Sequence, residues 1–381
     1  MRSIARRWIL LVVLGLSCAF LPSASADDPL LPLPVQVGKI ASIKLGETRE
    51  YWVSLPDRYA VSNEKYPVVY MMDGEFNFNS GVIGGLRYHA MMGEMPEFIV
   101  VGIKNTDRSK DLFPEEVTYR DGTKAGGRAD QYLDFVREEL IPYIERNYRT
   151  QGFRILFGTS NTGFTTVYAL LRNPDLANGY ISSSATLRLP SLAARRDQLI
   201  RDFKGGRRQL VLVMGEYDLP TVLSGNGELK ERIETTSPEG LTCRFSVVSR
   251  EGHVPGNSLS EGLRCLFDGW KISKPLNERT FTEIRAHVDK RRERYGVLSK
   301  FPESDLSDLG TSLLGEKKTA MALDVLQYQV DSYPNSANAR VNLGDAYHQS
   351  GNPGKARECY EQALSLVPGH AAATAKLKEL H

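Results

Sequence analysis

At 381 residues the chain is too long for one small core, and two domains, or one large domain with an appendage, are expected. Hydrophobic residues at 41% and charged residues at 25% are the proportions of an ordinary soluble globular protein. The formal charge of +2, from 48 basic and 46 acidic residues, asks for neither nucleic acid nor an anionic membrane as partner.

Three of the positive charges, Arg2, Arg6 and Arg7, open the chain. An apolar run from Trp8 to Leu21 follows, then Pro22-Ser23-Ala24-Ser25-Ala26. A basic start, a short apolar stretch and small residues at Ala24 and Ala26 predict a secretory signal peptide over 1–26, cut after Ala26. The run is shorter than the roughly 20 residues that span a bilayer, so stable membrane insertion is not expected. Lipidation of Cys18 is disfavoured by Gly15, which stands where a lipoprotein box has leucine. The expected location is therefore periplasmic or secreted. Beyond the signal, Cys243, Cys265 and Cys359 form neither a disulfide framework nor a zinc cluster, and buried free thiols are expected over a Cys243–Cys265 bridge.

Strand and helix signals alternate from about residue 36 to 272. Ile43 to Leu55 alternates apolar and polar residues, with Tyr51, Val53 and Leu55 on one face, and predicts an early antiparallel strand. Four apolar runs predict strands buried on both faces: 66–72, 98–103, 154–158 and 209–215. A fifth strand is predicted over 244–248. Between the second and third, Leu133, Val136, Leu140 and Ile144 recur at helical steps and predict a helix over 130–147. This alternation predicts a mostly parallel sheet covered by helices on both faces, with chemistry at the carboxyl ends of its strands.

After a helical linker over 273–301 the pattern becomes purely helical and repeats. Leu309-Gly310 recurs as Leu343-Gly344, Ala322 as Ala356, Leu326 as Tyr360 and Pro334 as Pro368, each at 34 residues. That is the period of tetratricopeptide (TPR) helix pairs, predicted here over 302–381, with 371–381 as a final solvating helix. Two repeats are fewer than the three usually needed for independent stability, so the segment is expected to pack on the preceding domain.

The third buried strand runs into Gly158-Thr159-Ser160-Asn161-Thr162-Gly163 and then a helix-forming stretch. This is nearly the G-x-S-x-G elbow, in which a tight strand-to-helix turn presents a serine hydroxyl above the sheet. A serine needs a base, and the base a carboxylate, in the chain order serine, acid, histidine. The first histidine after Ser160 is His253, just beyond the fifth strand; His287, His348, His370 and His381 suit solvated positions, and His89 precedes the serine. Asp218, at the end of the fourth strand, is the expected acid, with Glu216 and Glu228 as rivals. Two backbone amides are needed for an oxyanion hole, and those of Asn161 and Glu75 are the candidates.

Together these stretches resemble the putative-esterase (esterase D-like) family of α/β hydrolases, on its siderophore-esterase side. The likeness is carried by 66–75, by Gly102-Ile103-Lys104-Asn105 with Arg108 and Asp111, by 139–144, by the Ser160 elbow, and by Glu251-Gly252-His253 with Gly262-Leu263. It covers about 36–272, implies an α/β-hydrolase fold, and places nucleophile, acid and base at Ser160, Asp218 and His253. Two positions depart from the family: Thr159 replaces a histidine, and Thr162 replaces a glycine. A branched side chain at 162 is expected to crowd the turn and tilt the Asn161 amide, giving a slow esterase that Thr162→Gly accelerates; the alternative is a surrounding core grown to fit the threonine, where glycine would only loosen the helix start. The sequence thus reads as an exported serine esterase acting on a small-molecule ester without a cofactor, with a TPR-like tail open to a protein partner. A catalytically silent scaffold that binds a protein through that tail, and an acyltransferase, are the alternatives.

Overall fold

The computed structural model describes residues 35–60, 64–118, 121–187, 190–271, 279–295, 301 and 303–380; the expected signal over 1–26 lies outside them. The strands are β1 (Val35–Ser42), β2 (Glu47–Ser54), β3 (Tyr66–Met71), β4 (Ile99–Ile103), β5 (Glu116–Thr118), β6 (Lys124–Gly126), β7 (Thr150–Thr159), β8 (Gly179–Ser183), β9 (Arg208–Gly215) and β10 (Leu241–Val248). Eight of them form one sheet in the order β1-β2-β4-β3-β7-β8-β9-β10. β1–β2 and β2–β4 are antiparallel, and every later pair is parallel. The chain leaves β3 for β4 on one side and returns to β7 on the other. The crevice beyond the carboxyl ends of β3 and β7 is thus a topological switch point, where open α/β sheets bind their ligands.

The apolar runs become strands covered on both faces because successive side chains point opposite ways. Val68 and Tyr70 of β3, with Leu210, Leu212 and Met214 of β9, enter one core. Val69, Met71, Val211 and Val213 enter the other. Helices α1 (Gly74–Asn79), α2 (Val82–Met91), α3 (Arg108–Asp111), α4 (Ala129–Phe135), α5 (Ile141–Asn147), α6 (Asn161–Arg172), α7 (Pro190–Arg201), α8 (Pro220–Thr236) and α9 (Ser258–Leu266) connect the strands. α4, α5, α6 and α8 cover the first core, and α2 and α9 the second.

The expected helix over 130–147 forms with one irregularity. A π-turn at Val136–Leu140 separates α4 from α5, just before Pro142. Pro142 has no amide to donate and its ring clashes with the carbonyl four residues back, and a wider turn relieves both problems. The stripe survives it: Leu133, Val136, Leu140 and Ile144 are all fully buried. The early strand begins at Glu47, later than its pattern suggested, and Ile43 is 92% exposed. The fifth strand, β10, lies at the sheet edge and is only partly buried.

Behind α9, α10 (Phe281–Tyr295) belongs to two cores at once. Its Tyr295 packs with Phe267 and Trp270 of the hydrolase body. Its Ile284 and Val288 pack with Leu306 and Leu309 of α11 (Glu303–Gly315). α11 pairs with α12 (Thr319–Ser332), and α13 (Ala337–Gln349) with α14 (Pro353–Leu366), before α15 (Ala371–Glu379). The 34-residue repeat has a packing cause. A Cβ on Gly310 would lie 2.3 Å from Leu326, and one on Gly344 would lie 2.4 Å from Tyr360, so each glycine lets its helix rest on the bulky partner of the next.

Candidate active site

Ser160 ends β7 and caps α6 with φ 53° and ψ −115°, a conformation that L-residues rarely adopt and that costs on the order of 1–3 kcal/mol. The surrounding backbone holds it there: the Ser160 amide donates to the Ser183 carbonyl at 2.8 Å. Two glycines make the turn possible. A Cβ on Gly158 would sit 2.3 Å from the Thr162 carbonyl, and one on Gly163 would sit 2.9 Å from the Ser183 carbonyl.

The structure brings Ser160, His253 and Asp218 together from three strand ends. His253 Nε2 lies 3.0 Å from Ser160 Oγ, and His253 Nδ1 lies 2.7 Å from Asp218 Oδ1. Asp218 Oδ1 also accepts from the Leu219 amide at 2.7 Å, and its side chain is fully buried. An ionised carboxylate only accepts, so the proton on this ring sits on Nδ1 and Nε2 faces the serine hydroxyl as acceptor. The histidine loop lies directly on Gly215, where a Cβ would be 2.1 Å from the Gly252 carbonyl. Left-handed backbone at Arg250 and Val254 turns the loop back, and the Val254 amide donates to Ser184 Oγ at 2.8 Å.

The rival acids are engaged elsewhere. Glu216 accepts from the Arg250 amide at 2.8 Å and from Ser249 Oγ at 2.9 Å, and so anchors the histidine loop. Glu228 lies 4.0 Å from Arg196. Of the other histidines, His89 pairs with Glu94, His287 meets the Trp270 carbonyl, and the ring of His370 caps α15. Cys243, Cys265 and Cys359 are free thiols.

Both oxyanion candidates occupy first turns of helices, Glu75 in α1 and Asn161 in α6, where amides have no carbonyl of their own helix to bond. Gly74 admits this geometry, because a Cβ there would lie 2.6 Å from the Gly102 backbone. A hydrogen-bonded hub not foreseen from the sequence joins the two turns. Asp73, 4% exposed and left-handed at φ 54°, accepts from Arg108 Nε at 2.9 Å, Arg108 Nη2 at 3.2 Å and Asn105 Nδ2 at 2.5 Å. It also faces Thr162 Oγ1 at 2.8 Å.

That contact corrects the expectation that Thr162 crowds the elbow. Thr162 is 1% exposed, and its hydroxyl accepts from the Thr159 amide at 2.8 Å with two acceptors for its proton, Asp73 Oδ2 and the Thr159 carbonyl, each at 2.8 Å. The close approach to β8 falls at Gly163, so the glycine is needed one residue later than the usual motif has it. The threonine ties the Ser160 turn to the Asp73–Glu75 turn. The exposed side chains of Phe76, Tyr217 and Leu219, next to Glu75 and Asp218, give this end of the sheet an apolar rim.

Comparison with known proteins agrees with this architecture. A family model described as putative esterase matches residues 42–235, which include Ser160 and Asp218, and a tetratricopeptide repeat model matches 337–370. Ferri-bacillibactin esterase BesA of Bacillus subtilis is 27% identical over 215 residues, half of this chain and 74% of the relative. The crystal structure of an IroE-like serine hydrolase from Shewanella oneidensis superposes with a TM-score of 0.68 at 27% identity, over 77% of this chain and 99% of that one. A protein from Capnocytophaga ochracea, 18% identical, shares the fold over 91% of this chain and 99% of its own, with a TM-score of 0.60. The strand order, the hydrolase neighbours and the matched 42–235 lead to one assignment: this chain belongs to the putative esterase family of α/β hydrolases, and a TPR-like segment follows its catalytic fold.

Proposed function

We propose that the protein is an exported serine esterase that cleaves carboxylic esters through an acyl-enzyme on Ser160. The observation that carries this reading is the continuous hydrogen-bonded line from Ser160 Oγ through His253 to Asp218, with steps of 3.0 and 2.7 Å. As Ser160 Oγ attacks the ester carbonyl carbon, its proton passes to His253 Nε2. Asp218 keeps the ring in the required tautomer and stabilises the imidazolium. The tetrahedral oxyanion is held by the Glu75 and Asn161 amides, each such donor contributing about 2.7–4 kcal/mol. His253 then hands its proton to the departing alkoxide, and water repeats the sequence to free the acid.

Hydrolysis is preferred over acyl transfer because the named relatives are an esterase and a hydrolase. The hydrogen-bonded line of Ser160, His253 and Asp218 argues against a silent scaffold. The apolar rim of Phe76, Tyr217 and Leu219 suits esters with an apolar or aromatic part, and the named substrate of BesA makes ferri-bacillibactin the first natural ester to try. Export rests on the basic, apolar and small-residue order of 1–26. The test is hydrolysis of p-nitrophenyl esters of graded acyl length, followed by ferri-bacillibactin. Turnover of at least one series supports the reading, and inertness toward every ester speaks for the scaffold.

A further inference from the structure

A cavity of about 940 Å³ opens at the end of the sheet opposite Ser160. It is bounded by the residues that begin β3, β4 and β7, by α2 and Trp270, and by Asp305 and Tyr333 of the helical tail. One wall is apolar, formed by Ile83, Leu86, Met95, Phe98 and Trp270, with the exposed Met91 at the rim. The other is charged in both signs: Arg291 is buried and Glu97 half-buried, neither with an ion-pair partner within 4 Å among the described residues, while Arg58 and Asp305 stand exposed at the rim and Arg87 pairs with Asp57. Nothing in the ester chemistry uses this wall.

Arg291 is the most telling of these. It is only 7% exposed and its guanidinium lies 4.3 Å over the Trp270 ring; Nη2 donates to the Trp270 carbonyl, but Nε has no hydrogen-bond partner. Burial brings its pKa down to about 10, and burial likewise pushes the carboxyls of Glu97 and Asp305 up, although Asp305 is open to solvent on one side. Of these only Arg291 and Glu97 are withdrawn from water, and a charge so placed without an ion-pair partner is stabilised when a ligand supplies the opposite sign. A lone anion at Arg291 would sit near Asp305, and a lone cation at the acids would face Arg58. A head group with both charges answers Arg291 and Glu97 together without net repulsion. Tyr66, Tyr88 and Tyr333 line the same space.

We propose that this cavity binds a single-chain zwitterionic amphiphile, its chain on the Ile83–Leu86–Met95 wall and its head group between the hydrolase body and the tail. The probe is dodecylphosphocholine below its micellar concentration, titrated calorimetrically into the purified protein; it has no carboxylic ester to be consumed. Saturable binding is expected, with dodecanoate and dodecylamine weaker by roughly tenfold or more. Ala90→Trp fills the cavity from a half-buried position on α2, and Glu97→Gln removes one head-group charge without breaking a hydrogen bond. Both should weaken binding several-fold while melting cooperatively, whereas blocking Ser160 with a fluorophosphonate should leave it unchanged. The proposal is overturned by absence of saturable binding, by a folded Ala90→Trp protein that binds as wild type, by equal affinity for the singly charged amphiphiles, or by competition from the Ser160 adduct. Tighter binding of tri-leucine than of dodecylphosphocholine would also overturn it, in favour of a peptide.

Discussion

His253 keeps a 35% exposed ring in place by two contacts, and the buried one, to Asp218, decides its tautomer. Asp218→Asn should therefore preserve the fold and lower ester turnover by about 10⁴, the cost of the same change in a serine protease. Glu228→Gln should leave turnover near wild type; the reverse pattern would move the acid to Glu228. Thr162 gives a second kinetic test. Thr162→Val keeps the volume but strips a partner from the buried Thr159 amide and from Asp73, at about 1–3 kcal/mol for each unsatisfied group. Turnover should drop roughly tenfold with little change in KM, less than the 10²–10³ of a lost oxyanion donor, and Thr162→Ser should restore it. Faster turnover in Thr162→Gly than in wild type would show that the threonine hinders the elbow after all.

Strand ends and glycines explain what was legible at the next scale. The uninterrupted apolar runs foretold the parallel core because strands buried on both faces need such runs. β8 escaped notice because its Gly179-Tyr180-Ile181-Ser182-Ser183 buries two serines, and Ser182 Oγ finds its partner in the Gly163 carbonyl at 2.9 Å. Burial of polar residues satisfied across elements leaves no trace in hydropathy. The Asp73 hub was hidden for the same reason, since its four side-chain bonds come from three residues in two distant segments. The meeting of Ser160, Asp218 and His253 was readable because fold topology fixes their order; the contacts of Thr162 were not, because they depend on a residue 89 positions away. In the tail the 34-residue repeat is a statement about helix spacing, which Gly344→Ala tests. The added methyl meets Tyr360 and should cost about 1–3 kcal/mol, read as a lower melting temperature of the helical tail with ester hydrolysis unchanged. A tail melting as in wild type would mean that the helices slide apart freely.

Across the whole molecule, α10 joins hydrolase body and tail through Tyr295 on one side and Ile284 and Val288 on the other. Their junction carries a pH-dependent cost. Burial raises the Glu97 carboxyl above its ordinary value of 4.5, so the folded state binds its proton more tightly than the unfolded chain. Its penalty is absent below about 4.5 and develops as pH rises through the folded value. Glu97→Gln should raise the melting temperature at neutral pH, with the gain shrinking as the solution is acidified; a constant gain would show that charge is not its source. The central claim concerns the opposite end of the sheet, and intact-protein mass spectrometry after brief mixing with p-nitrophenyl acetate tests it most directly. We expect one acetyl adduct, located by peptide mapping on Ser160 and absent from a folded Ser160→Ala variant that has also lost hydrolysis. Equal turnover in Ser160→Ala, or an adduct on any other residue, would contradict the account.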